Sequence, residues 1–270
     1  MTEPRSVLPP PEVLHAFAAD AAPRPLAGGT GRSWLAGQVV LKPLDMSETT
    51  LQWQAAVLPG LAAHEEFRVA APLRTAGGKL VSGGWTAWPY LAGRHETGRW
   101  TEVIAAGRGF HRAAREVERP PFLADRDDPW AYGDRVAWGD SPIEPFLHLP
   151  SVAALAPVLH AVDDTSQLIH GDLTGNVLFH PELPPAVIDI SPYWRPAAFA
   201  DAVVVTDAMT FHGAGTSLLQ DAAVGVDDFA QYVVRALIYR MVTDAVTRTD
   251  TSWEVAYRPT IAAALAAARA

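Results

Sequence analysis

The chain contains no cysteine, which excludes disulfides, thiolate metal centres and cysteine nucleophiles. Lysine is almost as scarce: of 21 basic residues only Lys42 and Lys79 are lysines. Wherever a generic surface cation would serve, the sequence uses arginine, so each lysine invites a specific explanation. There is no dense basic stripe and the net charge is −9, which argues against nucleic acid as a partner. No apolar run approaches the roughly 18 residues that a bilayer span needs. The start, Met1-Thr2-Glu3-Pro4-Arg5 followed by Pro9-Pro10-Pro11, lacks the basic-then-apolar layout of a secretory signal. The protein therefore reads as cytoplasmic, with no membrane partner.

What is present is ordinary globular composition, 49% hydrophobic and 19% charged over 270 residues, enough for one large domain or two lobes. The first portion has strand and turn signals. A Gly-rich turn, Gly28-Gly29-Thr30-Gly31, lies between two short strands, and Gly37-Gln38 precedes the strand Val39-Val40-Leu41-Lys42. Glu48 to Leu58 reads as a helix stopped by Pro59-Gly60, and strands near Val69 to Arg74 and Leu80 to Trp88 follow. After Pro89-Tyr90-Leu91-Ala92-Gly93 the pattern becomes helical: about Thr101 to Glu118, Ser151 to Val162, Pro196 to Met209, Asp227 to Val246 and Pro259 to Ala268. The expected fold is α+β, with an antiparallel-sheet lobe over 1–88, a hinge at 89–93 and a larger, mostly helical lobe over 94–270.

The helical pattern is interrupted by Gln167-Leu168-Ile169-His170-Gly171-Asp172-Leu173-Thr174-Gly175-Asn176-Val177-Leu178-Phe179, with Asp189 following in Ala186-Val187-Ile188-Asp189-Ile190. An Asp and an Asn four residues apart between apolar strands, with a second carboxylate beyond, suit phosphoryl transfer. Asp172 orients and deprotonates an acceptor hydroxyl, while the Asn176 amide oxygen and the Asp189 carboxylate hold Mg²⁺ on nucleotide phosphates. The Gly-rich turn and Lys42 add backbone N–H groups and one ammonium that can face the same phosphates. His170 reads as a brace for the loop. His111 and His160 read as ordinary helix residues, and Asp201 and Asp207 either anchor the loop or are plain helix carboxylates.

On these residues the chain resembles the aminoglycoside phosphotransferase and choline kinase-like branch of the protein-kinase-like fold, in element order from roughly residue 26 to 210. Gly171 to Phe179 with Ser191-Pro192-Tyr193-Trp194-Arg195-Pro196 resembles, more narrowly, an uncharacterised actinobacterial group of that branch. The resemblance implies a bilobal fold, ATP (or GTP) as donor, Mg²⁺, and a small-molecule hydroxyl or amine as acceptor. It also implies nucleotide contacts from Gly28, Gly29, Thr30, Gly31, Lys42 and the hinge residues Tyr90 and Leu91, and a helix Glu paired with Lys42. Glu48 is the candidate for that Glu, or else an ordinary first-turn carboxylate, because Gln54-Ala55-Ala56 occupy the middle turn. The Asp172-to-Asn176 loop is one residue shorter than the branch's usual spacing.

Only Ile190 to Arg195 separate Asp189 from Pro196, too little chain for a peptide-docking segment, so the acceptor is expected to be small. Tyr193, Trp194 and Arg195 either line its pocket or pack against the loop. Two other readings remain. One is a nucleotide-binding regulator without effective catalysis, motivated by the missing mid-helix Glu and the short loop. The other is a metal-dependent hydrolase using His170, Asp172 and Asp189.

Overall fold

The computed structural model describes residues 7–26 and 31–269. The chain divides into two units, one holding residues up to Arg94 together with Leu178–Ile188, the other His95–Val177 and Asp189 onward. The stretch 178–188, which the sequence pattern places with the helical lobe, thus belongs to the first unit.

In the first unit, β1 (Arg24–Pro25), β2 (Trp34–Ala36), β3 (Val39–Pro43) and β5 (Trp85–Pro89) form an antiparallel sheet in that order, with Lys42 opposite Thr86. Period-2 alternation turns Leu41 and Ala87 inward, against Val13 and Phe17 of the α1 region (α1, Pro11–Ala16). Helix α2 (Glu48–Leu61) is capped by Ser47, whose Oγ accepts the Thr50 N–H at 3.0 Å. It buries Leu51, Gln54, Leu58 and Leu61 along one face. It runs through Pro59 instead of stopping there. The ring lies on the exposed face in the last turn, so the carbonyl that loses its donor can be hydrated.

The strand expected near Val69 to Arg74 shrinks to β4 (Arg68–Val69), which pairs in parallel with β8 (Leu183–Val187), and β7 (Val177–His180) completes a sheet ordered β4-β8-β7. Arg68 fastens this sheet through Nε to the Pro184 carbonyl (2.8 Å) and Nη2 to the Ala92 carbonyl (2.7 Å). The chain after β5 is pinned in turn, since Arg94 and Phe179 exchange two backbone hydrogen bonds of 2.9 Å. Gly93 sits there at φ +143, where a Cβ would stand 3.0 Å from the Phe179 carbonyl oxygen.

The second unit is helical around one strand pair. Strand β6 (Gln167–His170) pairs antiparallel with β9 (Pro192–Arg195), so the aromatic-Arg segment is a strand. Around it lie α3 (Trp100–Ala113), α4 (Pro129–Ala137), α5 (Pro150–Leu155), α6 (Ala197–Phe211), α7 (Ser217–Ala223), α8 (Phe229–Thr247) and α9 (Glu254–Ala267). Helix α6 is buried continuously from Phe199 to Ala208, and α8 is buried almost throughout. Among the described residues no helix is long and apolar enough to cross a membrane.

Helix α4 meets α8 at Gly133, where a Cβ would lie 2.6 Å from both the Tyr239 carbonyl and Thr243 Oγ1. Backbone cannot yield as a flexible side chain does, so Gly133→Ala is expected to destabilise the protein by about 1–3 kcal/mol, as overpacking does. Urea denaturation against wild type checks this, and an unchanged midpoint would show that the two helices can separate at little cost.

Candidate active site

The loop that carries the chemistry is built on His170, which is fully buried. Its Nδ1 accepts the N–H groups of Asp172 and Ser191, each at 3.3 Å, and the Gly171 N–H donates to the Ser191 carbonyl at 2.9 Å. These bonds tie the Asp172 loop to the segment that follows Asp189. His170 is in turn held from α3: its own N–H donates to His111 Nε2 at 3.1 Å. Burial, and then the neighbouring His170, push the His111 pKa down to about 3, so His111 is neutral and available as an acceptor.

Within the loop, the Asn176 N–H closes a turn on the Leu173 carbonyl (2.9 Å), with Gly175 at φ +83. Asn176 Nδ2 donates to the Asp172 carbonyl at 2.7 Å and, more weakly, to Asp172 Oδ2 at 3.4 Å. These bonds commit the amide nitrogen to the loop. Leu173 is buried against Gly107 of α3, where a Cβ would stand 2.4 Å from its Cδ1. Asp189 occupies its own turn at φ +49, exposed, a left-handed conformation that Asp tolerates better than most residues.

Asp172 has 45% of its side chain exposed, and its Oδ1 accepts Arg240 Nη2 from α8 at 2.9 Å. Arg240 also forks onto Asp207 of α6, with Nε to Oδ1 at 2.9 Å and Nη2 to Oδ2 at 2.6 Å. Burial works against the Arg240 charge, but Asp207, together with Asp172, more than offsets it and holds its pKa well above the ordinary value. Asp207 thus reaches the loop through Arg240, whereas Asp201 binds Arg108 at 2.7 Å instead. A cavity of about 420 Å³ opens beside this network, its wall including Thr174, Asp207, Phe211, Arg240 and Asp244.

Tyr193, Trp194 and Arg195 are absent from that wall. Tyr193 is buried against Gly171, where a Cβ would lie 2.4 Å from its ring, and its hydroxyl meets that of Tyr239 at 3.1 Å. Arg195 forks onto Asp134 and reaches Asp140 at 2.7 Å. Tyr193 and Arg195 thus pack against the loop and α4.

The other expected residues lie in the first unit. Gly28, Gly29 and Thr30 fall outside the described residues. Gly31 is exposed at φ +69 with open space around it. Lys42 Nζ lies 5.2 Å from the Trp88 ring centroid, within cation–π range. Glu48 is the exposed first residue of α2 and makes no ion pair among the described residues; Lys42 has other company. The Tyr90 N–H is used by the Gln38 carbonyl at 2.8 Å, while the Leu91 N–H makes no hydrogen bond among the described residues.

No protein-family model and no curated protein matches the chain. Solved structures match in fold. An aminoglycoside phosphotransferase from Alicyclobacillus acidocaldarius matches with a TM-score of 0.65 and 14% identity, over 99% of this chain and 96% of its own. An amicoumacin kinase in complex with AMP-PNP, Ca²⁺ and Ami gives 0.59 and 16% identity over 92% and 88%. The choline kinase LicA from Streptococcus pneumoniae gives 0.54 and 12% over 91% and 93%. The chain has the α+β, protein-kinase-like fold of these phosphotransferases. Identities this low lend nothing to the narrower actinobacterial resemblance.

Two signals in the sequence could have pointed to the residues it left without a role. Arg240 interrupts the apolar run of α8, and a cation there needs a buried partner. His111 likewise lies on the apolar face of α3. Arg240→Met is expected to destabilise the protein by about 3–5 kcal/mol, because Asp207 is left as a buried, uncompensated carboxylate. The double variant Arg240→Met, Asp207→Leu should recover most of that loss in chemical denaturation; failure to recover would place the stabilisation elsewhere.

The His111 pKa is lower in the folded chain than when unfolded, so its contribution is fully present above about pH 6.5 and falls as pH drops towards 3. The slope is about 1.4 kcal/mol per pH unit. Urea titrations at pH 7.5, 6 and 5 should show His111→Gln losing less stability with acidification than wild type. Parallel slopes would remove His111 from the acid response.

Proposed function

We propose that this protein is a Mg²⁺-dependent phosphotransferase moving the γ-phosphate of ATP (or GTP) to a hydroxyl or amine of a small molecule. The observation that carries this reading is the Asp172–Asn176 loop. A half-exposed carboxylate is held firmly through Oδ1 by Arg240 and only weakly through Oδ2 by Asn176, near a cavity large enough for a small molecule.

Asp172 Oδ1 is committed to Arg240, while Oδ2, which accepts only a long bond from Asn176, would receive the acceptor proton. The acceptor oxygen then bonds to the γ-phosphorus as the bond to the bridging oxygen breaks, and the nucleoside diphosphate leaves with that electron pair. A positioned carboxylate suffices, since the loose transition state demands positioning more than proton abstraction. Lys42 would hold the donor's α- and β-phosphates, and Leu91 would offer its N–H to the base.

Asn176 Oδ1 and the Asp189 carboxylate would hold the metal. Two hard oxygen donors suit Mg²⁺ completed by phosphates and water. When bound, the metal would supply charge neutralisation for the transferred phosphoryl group. Among the described residues no three His, Asp or Glu converge as a metal cage, and His170 Nδ1 is occupied by two N–H donors, which disfavours the hydrolase reading.

One observation favours a nucleotide-binding regulator instead: buried Gln54 stands at mid-helix in α2, and Glu48 is turned to solvent. Turnover separates the two. Asp172→Asn is expected to lower transfer, or slow Mg²⁺-dependent ATP hydrolysis in its place, by about 10²–10⁴-fold while leaving nucleotide affinity within a few-fold. Asp189→Ala should lose Mg²⁺-nucleotide binding itself. Full activity in Asp172→Asn would end the assignment of the base, and hydrolysis unchanged by Asp189→Ala would favour the regulator.

A further inference from the structure

The charges lining the cavity beside Asp172 are already paired within the chain. Both oxygens of Asp207 are taken by the Arg240 fork, at 2.9 and 2.6 Å. Both oxygens of Asp244 are taken as well, Oδ1 by Arg248 Nε at 2.8 Å and Oδ2 by the Tyr257 hydroxyl at 2.7 Å. The two carboxylates of the wall therefore already have guanidinium partners within the chain, with which an incoming cation would have to compete. The remaining titratable group, His212, lies against the Trp100 ring with centroids 5.0 Å apart.

The rest of the wall is apolar or weakly polar. Phe211 is 50% exposed and Trp130 47% exposed, large rings left partly uncovered on the wall of the cavity. Tyr257, beneath them, presses edge-on against Phe211 at 5.4 Å between centroids. An acceptor carrying several ammonium groups would shed water there and find its counter-charges engaged, an uncompensated desolvation. A ring compound with hydroxyls would cover the exposed aromatic faces and could direct one hydroxyl towards Asp172 Oδ2.

We propose, resting on the phosphotransferase reading, that the acceptor is an uncharged hydroxyl compound with an apolar ring face, and not a polyamine. The acidity of the chain as a whole does not extend to this cavity. Arg248 is the group whose removal would change the selectivity: it is 54% exposed, and without it Asp244 Oδ1 would become a vacant anionic partner.

The test is calorimetric titration of the full chain, first with Mg-AMP-PNP and then, with that nucleotide saturating, with two probes. These are 4-nitrophenyl β-glucoside for the uncharged class and neamine for the polycationic one. Saturable binding of the glucoside without saturable binding of neamine is expected. Phe211→Ala should weaken the glucoside by roughly tenfold, as loss of one partly buried ring requires, and Arg248→Ala should create neamine binding. Neamine as the tighter ligand of wild type, binding of neither probe, or no gain in Arg248→Ala would overturn the acceptor class while leaving the nucleotide result standing. Absence of Mg-AMP-PNP binding would instead remove the phosphotransferase reading and this proposal with it.

Discussion

One imidazole nitrogen sets the geometry of the candidate site. His170 Nδ1 accepts backbone N–H groups from Asp172 and from Ser191, so the loop carrying Asp172 and Asn176 and the segment leaving Asp189 share a single buried anchor. Side chains that must stay reachable cannot be held by burial of their own. Here they are held one residue away, by backbone bonded to a ring with no exposed surface. The ring is itself seated by His111, which stays an acceptor because burial keeps its proton off. A buried polar chain of this kind is costly when any link is missing and specific when all are present.

A second constraint acts through charge. Helix α8 is apolar along most of its length, yet it delivers Arg240 to a position where Asp207 and Asp172 both need a cation. The bidentate fork fixes the guanidinium plane, and the fork's second nitrogen then fixes one oxygen of Asp172. The carboxylate's remaining oxygen has only the long contact from Asn176. Lysine could not make this arrangement, having one point charge where a rigid fork is required. The scarcity of lysine in the chain is in keeping with a protein whose buried cations mostly work as forks.

How much of this was legible in the sequence depended on how local the determinants are. The His170–Asn176 loop and Asp189 could be read because turn chemistry and residue types lie within a short window between apolar strands. Arg240 and His111 meet their partners across 68 and 59 residues, and no periodicity encodes such pairings. The helices run through Pro59 and Pro259, against the sequence expectation, each proline lying exposed within one or two turns of a helix end, where the freed carbonyl can be hydrated. The aromatic-Arg segment was ambiguous for a related reason. Tyr193 and Arg195 have the chemistry of pocket residues, and only the pairing of β9 with β6 turns them towards Gly171 and Asp134. Glu48 was placed correctly at a helix start, but a helix start is exposed, and an exposed carboxylate there answers to the helix dipole.

The parallel pairing of β4 with β8 has a bearing on how the polypeptide assembles. During synthesis the β4 edge emerges early and waits unpaired until α3, α4, α5 and the loop strands have all left the ribosome. Non-local parallel partners are slow to find, so the Arg68–Val69 segment lacks its strand partner for much of translation. A gene fragment ending near Arg94 would make that exposure permanent, and a graft of this part onto another protein would have to carry the later hairpin with it.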